Sequence, residues 1–560
     1  MNNEINNPKT DIIMRKSCIL LFAVLFYSIG FAQDDMPLVW ETKLDHKIDH
    51  NETGLEERGY SYAASDKEMT FFNNNDGSII WTKSFKEIAP SLRKVDELIP
   101  FWESNTVFLF DKKLGKDQIA CVDMETGKPL WSTEKYQNVT EDVVLYIPEE
   151  DAFAISLKKE LVFIKTKTGE EVWSTEKFKG VVGQYVYNAD DRTMVMVNFV
   201  PGGLAAFFTG FKNQIARINV QNGEIIWENS YIGRADRKVW TKEFVYDLSL
   251  IDDKVFLRLA GMQVYDYNTG ASLWSAAFDF TPEGVAPQPS GKVLRFGVYG
   301  AVADPVIVDQ DIYVLDMTNK KSQYVKKYDL NSGKLLWTSA EIEKARVIPG
   351  MSVVGDKVIL QIGGRVETQY YRTYKSGDYT VSEWGRAFPE VKPFGVRAFN
   401  TSDGSKAWES EKFKKGITNA ISYGENHVVC SGKALYSIKV SNGDQNYEVP
   451  VSKGGVGQAA MIMKYKDNVI VVIGDKGVST FNTDNGDLIC SGKYKSSRFE
   501  DRVDDILVMK TDKADIAAYD LNSCSYKEFK AKKGASTTLT KDGKYVFVYE
   551  KKVVSKVKTR

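Results

Sequence analysis

Short apolar runs such as Thr106-Val107-Phe108-Leu109-Phe110, Lys254-Val255-Phe256-Leu257 and Asn468-Val469-Ile470-Val471-Val472 recur along the chain, and turn pairs such as Asp252-Asp253 and Gly355-Asp356 precede several of them. Runs this short, rich in β-branched and aromatic residues and bounded by turn formers, predict strands. No stretch has the sustained periodicity of an amphipathic helix. The clearest local unit is Asp123-Met124-Glu125-Thr126-Gly127-Lys128-Pro129-Leu130-Trp131, which reads as a hairpin. Asp123 and Thr126 suit the tight turn, Gly127 takes a positive-φ position next to a bulge, and Pro129-Leu130-Trp131 opens the returning strand.

The hairpin repeats. Its glycine, or the residue replacing it, stands at Gly77, Gly127, Gly169, Gly223, Gly270, Gly333, Gly404, Gly443, Gly486 and Cys524. Four residues later comes Trp81, Trp131, Trp173, Trp227, Trp274, Trp337 or Trp408, while Tyr447, Cys490 and Glu528 hold that place in the last units. With Trp40, eight of the 11 tryptophans occupy one repeat position. The largest side chain held in register this way predicts a packing interface repeated between neighbouring units. About four short strands per unit predict an all-β chain folded as a β-propeller of four-stranded blades. The chain continues past its last hairpin through strands near Thr537-Leu539, Lys544-Tyr549 and Lys552-Val557 but lacks an outermost strand there. Pro37-Leu38-Val39-Trp40-Glu41 is suited to supply it, so N- and C-terminal strands close the ring. The repeats imply eight or more blades and up to eleven, whereas propellers usually carry about 4 to 8. One large ring and two rings both fit.

Asp123 to Trp131 and Asp329-Leu330-Asn331-Ser332-Gly333-Lys334-Leu335-Leu336-Trp337 resemble the Asp-x-x-Thr-Gly-Lys-x-x-Trp repeat of the quinoprotein-like propellers, and the resemblance spans nearly the whole mature chain. That family contains both quinone-dependent alcohol and sugar dehydrogenases and non-catalytic propellers, including outer-membrane assembly proteins. The dehydrogenases use calcium-bound pyrroloquinoline quinone, an aspartate base and, in the alcohol-oxidising branch, a disulfide between adjacent cysteines. No adjacent cysteine pair occurs here, and no calcium or base motif is recognisable. The resemblance therefore implies the non-catalytic branch with no cofactor, and a dehydrogenase is the alternative.

Composition adds the compartment. Met14-Arg15-Lys16, the apolar run Cys18 to Ile29 and Gly30-Phe31-Ala32 form a signal peptide over residues 1–32, leaving 33–560 as the repeat domain. Export to the periplasm or outer surface of a Gram-negative-type cell follows, with no transmembrane span once the signal is removed. Cys490 and Cys524, near the hairpin turns of consecutive units, are placed to pair in an oxidising compartment. A formal charge of -1 supplies no global attraction for nucleic acid or anionic lipid and leaves only local patches. His46 and His50 would stand roughly 13 Å apart on a strand, too far to share a metal, so their segment reads as a solvated loop. No hydrolase elbow or metalloprotease pair is present.

Functional expectation falls where the repeat grows. The spacing between hairpin glycines reaches 54 before Gly223, 63 before Gly333 and 71 before Gly404, and is 50 or less elsewhere. The first and third insertions, Pro201 to Asn213 and Val366 to Pro393, fall between second and third strands; the second, Thr281 to Ala303, joins two blades. All three leave from one face of an up-and-down ring, the active-site face in the quinoprotein enzymes. They carry Phe207, Phe208 and Phe211; Phe296 and Tyr299; and Tyr370, Tyr371, Arg372, Tyr374, Tyr379 and Trp384, with Arg365 and Arg386. Such residues bury area and keep a polar handle, which predicts a binding face for a protein, peptide or glycan of the envelope. Self-packing over the mouth of the ring is the alternative use, and the segment around Leu204 to Phe208 could also touch a membrane. A third role is an outer-membrane assembly scaffold.

Overall fold

The computed structural model describes residues 34–54, 58–112, 118–136, 139, 144–157, 160–178, 181–199, 213–231, 245, 247–259, 261–276, 290–317, 322–376, 379–410 and 413–560. The leader and the first insertion's Phe207, Phe208 and Phe211 lie outside these residues.

Among the described residues, ten four-stranded antiparallel sheets and one five-stranded sheet form the body of the chain. Numbered in chain order, blades 1 to 6 span residues 50–84, 97–133, 144–175, 181–231, 247–276 and 306–338. Blades 7 to 10 span 350–409, 417–450, 459–493 and 497–529, and blade 11 combines 536–558 with 38–43. A buried apolar cluster joins each blade to the next: Phe163 and Trp173 meet Met196 and Ile218 between blades 3 and 4, and Trp274 meets Val314 and Leu330 between blades 5 and 6. Trp40 and Phe547 of blade 11 meet Ala63 and Phe72 of blade 1, so among the described residues the eleven blades form one closed circuit. The choice between one ring and two resolves to one.

The hairpin works as its residues dictate. The Asp123 carboxylate accepts hydrogen bonds from the Thr126 N–H at 2.8 Å and hydroxyl at 2.7 Å. Gly127 sits at φ 61°, and the register slips by a bulge between Pro129 and Trp131. Each tryptophan lies on the hairpin glycine of the following blade, where any side chain would collide: a Cβ on Gly223 would come within 2.6 Å of the Trp173 ring. The indole N–H then donates to a turn carbonyl of that blade, as from Trp173 to Val220 at 2.7 Å and from Trp81 to Met124 at 2.8 Å. One large aromatic thus fills the hole left by one glycine, and its only polar group is satisfied.

Three interfaces depart from this lock. Tyr447 covers Gly486 between blades 8 and 9. Between blades 9 and 10, Cys490 at the tryptophan position is disulfide-bonded to Cys524 at the glycine position, with Cα atoms 5.6 Å apart. At the corresponding place in blade 10, Glu528 is buried and ion-paired with Lys495, and the Tyr494 hydroxyl donates to it at 3.2 Å.

Closure is double. Strand Leu38–Lys43 pairs antiparallel with Val553–Lys558 as the outermost strand of blade 11. Ahead of it, Asp34–Asp35 pairs parallel with Lys527 and Glu528 at the edge of blade 10. One further reading is corrected: His46 is not in a solvated loop but buried, its Nε2 2.8 Å from the Thr70 hydroxyl. His50 stands exposed at the start of a blade 1 strand.

Candidate functional site

Outside the ring circuit lies a three-stranded sheet built by two insertions that are distant in sequence. Lys292–Tyr299, from the connection between blades 5 and 6, pairs antiparallel with Glu367–Ser376 of blade 7. Glu367–Ser376 also pairs with Tyr379–Ala387. The sequence favours this outcome locally, since Thr368, Tyr370, Tyr371, Thr373 and Tyr374 are strand formers.

The ribbon grows directly out of the ring. The second and third strands of blade 7, Lys357–Arg365 and Glu390–Asn400, are extended and pair as far as Arg365 opposite Glu390. Their ladder breaks at Gly363 and Gly364, with φ 68° and 142°. A Cβ on Gly363 would stand 1.8 Å from the Pro393 carbonyl oxygen, so only glycine lets the two backbones approach there. Beyond the break, buried Ala301, Val347, Val366 and Val391 clamp the base of the sheet. The Ala303 N–H donates to the Ile348 carbonyl at 2.7 Å and that of Gly363 to the Val347 carbonyl at 2.9 Å.

Register sorts the expected site residues onto two faces. Tyr370, Arg372 and Tyr374 alternate on one, opposite Gly385, Glu383 and Val381. The Arg372 guanidinium lies 5.5 Å from the Tyr370 ring and 4.7 Å from the Tyr374 ring, and it pairs with Glu383 at 2.7 Å. Its hydrogen bonds to Glu383 make the Arg372 guanidinium hold its proton more firmly than usual. This ladder is satisfied internally and stiffens the sheet. Phe296 is in register with Tyr370, and Tyr379 with Ser376.

The other face is open. Tyr371 and Trp384 are direct cross-strand partners with ring centroids 5.2 Å apart. Trp384 is 62% exposed and Tyr299, on the same face, 43%. Arg386, also on this face, pairs with Glu367 at 3.0 Å. Phe388, just past the last strand, is 51% exposed and was not singled out from sequence; its position at the edge of an insertion was the available signal. Among the described residues, no group of three or more His, Cys, Asp or Glu is disposed to hold a metal ion. Among the described residues the disulfide Cys490–Cys524 links neighbouring blades.

Residues 65–246, 115–284, 212–373 and 394–524 match a PQQ-like repeat family model described as outer membrane protein assembly factor BamB. The chain belongs to the BamB family of PQQ-like propellers. Similar solved structures include BamB from Moraxella catarrhalis, 15% identical over 70% of this chain and 91% of that one with a TM-score of 0.29. A quinohemoprotein alcohol dehydrogenase from Pseudomonas putida is 12% identical over 85% of this chain and 80% of that one, with a TM-score of 0.28. A computationally designed protein is 12% identical over 67% and 96%, with a TM-score of 0.34. No curated protein matches the chain. Among the described residues of this BamB-family chain, no helix is long and apolar enough to cross a membrane.

Proposed function

We propose that this BamB-family chain is a non-catalytic, exported propeller that holds a protein, peptide or glycan of the cell envelope against the inserted sheet. The observation that carries the reading is the open face of that sheet. Half-buried Tyr371 and exposed Trp384 form an aromatic pair on a platform whose other face is occupied by the Tyr370-Arg372-Tyr374 ladder. A rigid sheet presenting a tyrosine and a tryptophan is suited to recognition, because both rings bury large area at low entropic cost. The family description as an assembly factor supports a scaffold role at the outer membrane.

Replacing both aromatics, Tyr371→Ala with Trp384→Ala, is expected to weaken capture of crosslinked envelope partners by at least roughly tenfold, as loss of two interface aromatics implies. Melting should be unchanged, since both rings stand on the inserted sheet; undiminished capture would sink the proposal. The non-catalytic part is tested by adding pyrroloquinoline quinone, calcium and a dye acceptor with alcohols or sugars. No substrate-dependent dye reduction is expected, and substrate-dependent reduction would move the chain to the dehydrogenase branch.

A further inference from the structure

The net charge of this chain is close to zero, but at the junction of blades 8 and 9 several lysines gather at one end. In a four-strand meander, the turn between strands two and three and the connection to the next blade leave from one end, and the other two turns from the opposite end. On the end that also carries the inserted sheet, a cleft of about 550 Å³ opens at the junction of blades 8 and 9 and is lined by Lys433, Lys476 and Lys493. Lys414, Lys453 and Lys533 stand exposed on neighbouring connections of the same end. The opposite end of the same blades mixes exposed Asp444, Asp467, Asp484 and Asp504 with exposed Lys439 and Lys466.

The cleft is made by a glycine-rich connection, Ser452-Lys453-Gly454-Gly455-Val456-Gly457-Gln458, pressed against two turns. The Val451 N–H donates to the Lys433 carbonyl at 2.9 Å and the Lys476 N–H to the Val456 carbonyl at 2.9 Å. Gly455 and Gly457 adopt φ 65° and 80°. A Cβ on Gly455 would meet Lys493 Cε at 2.3 Å, and one on Gly457 would meet Asp475 Oδ1 at 2.1 Å. Asp475, the one acid of the lining, is engaged by the Gln458 N–H at 2.8 Å. No ion pair or hydrogen bond engages the ammonium groups of Lys433, Lys476 or Lys493 among the described residues.

We propose that this end of blades 8 to 10 docks on an anionic membrane surface, with the Lys433-Lys476-Lys493 cleft receiving a phosphate-bearing lipid headgroup. The inference does not depend on the partner proposed for the inserted sheet. Three unneutralised ammonium groups around one concavity create a local positive potential that a phosphate relieves. A planar anionic leaflet is favoured over a compact anionic ligand because the lysines come from equivalent ends of consecutive blades and so lie at one level. The same end carries Phe388, just past the last strand of the inserted sheet and 51% exposed, an apolar ring of the kind that enters a membrane–water interface.

The full mature chain is tested by cosedimentation with vesicles of phosphatidylcholine alone and with vesicles that also contain phosphatidylglycerol. Capture is expected only on the anionic vesicles and should fall as sodium chloride is raised. Each lysine near an anionic surface is worth about fivefold, so Lys433→Gln with Lys476→Gln and Lys493→Gln should weaken capture on the order of 100-fold. The corresponding triple Lys→Arg variant should retain capture, and all three proteins should melt alike. Equal capture on both vesicle types, or an unaffected triple glutamine variant, would overturn the proposal. So would calorimetric binding of inorganic phosphate or heparin without vesicle capture, which would make the cleft a site for soluble anions.

Discussion

Trp173→Ala is expected to cost about 3 to 5 kcal/mol, the range for deleting a large buried aromatic, measured as a lower denaturant midpoint. Trp173 is 8% exposed, stacks on Phe163 with centroids 5.2 Å apart and donates to the Val220 carbonyl at 2.7 Å. Its removal leaves a cavity against Gly223 and an unpartnered carbonyl at once, and the turn cannot collapse into the space without losing its positive-φ glycine. In a ring of repeats each interface is shared by only two blades, so amide exchange should accelerate first in blades 3 and 4. Gly223→Ala approaches the same interface from the other side. It places a Cβ within 2.6 Å of the indole at φ 72° and should destabilise the same blades. An unchanged midpoint with unchanged exchange for Trp173→Ala would remove the packing role assigned to the repeated tryptophan.

Reduction should loosen the ring between blades 9 and 10. The Cys490–Cys524 bond closes a loop with sequence separation 34, and crosslinks over loops of this length typically contribute about 2 to 4 kcal/mol. It stands where most other blades use tryptophan on glycine, so breaking it leaves the interface to Tyr494, Leu507 and Tyr519, with the Tyr519 hydroxyl donating to the Gly492 carbonyl at 3.3 Å. Dithiothreitol is expected to lower the melting temperature of the native chain and to expose blades 9 and 10 to protease. Cys490→Ala with Cys524→Ala should melt at the reduced temperature with or without the reductant. A native chain indifferent to the reductant would show that the neighbouring apolar contacts of Tyr494, Leu507 and Tyr519 carry the interface alone.

Much of the candidate site was legible because insertions announce themselves as lost periodicity. The long gaps before Gly333 and Gly404 locate the two segments that become the inserted sheet. Their aromatics could not be sorted by inspection. Tyr370 and Tyr371 are adjacent, yet one belongs to the satisfied ladder and the other to the open face, because neighbouring strand residues point to opposite sides once a register exists. That register depends on Lys292–Tyr299 arriving from another blade.

The sequence by itself determined the blade: turn aspartates, positive-φ glycines, apolar runs and a tryptophan four residues on act within a few residues of one another, so local chemistry suffices. It also located the closing strand at Trp40 and marked Cys490 and Cys524 as able to pair, a bond that only the structure decides. The tertiary structure alone decided that the eleven blades of the described residues close into one ring, because ring size follows from the wedge angle summed over every interface. Likewise, the parallel clasp of Asp34–Asp35 on blade 10, the burial of His46 and the joining of two insertions into one sheet depend on backbone and side-chain contacts between segments far apart in the chain. Such contacts form through hydrogen bonds and packing that no short window of residues encodes.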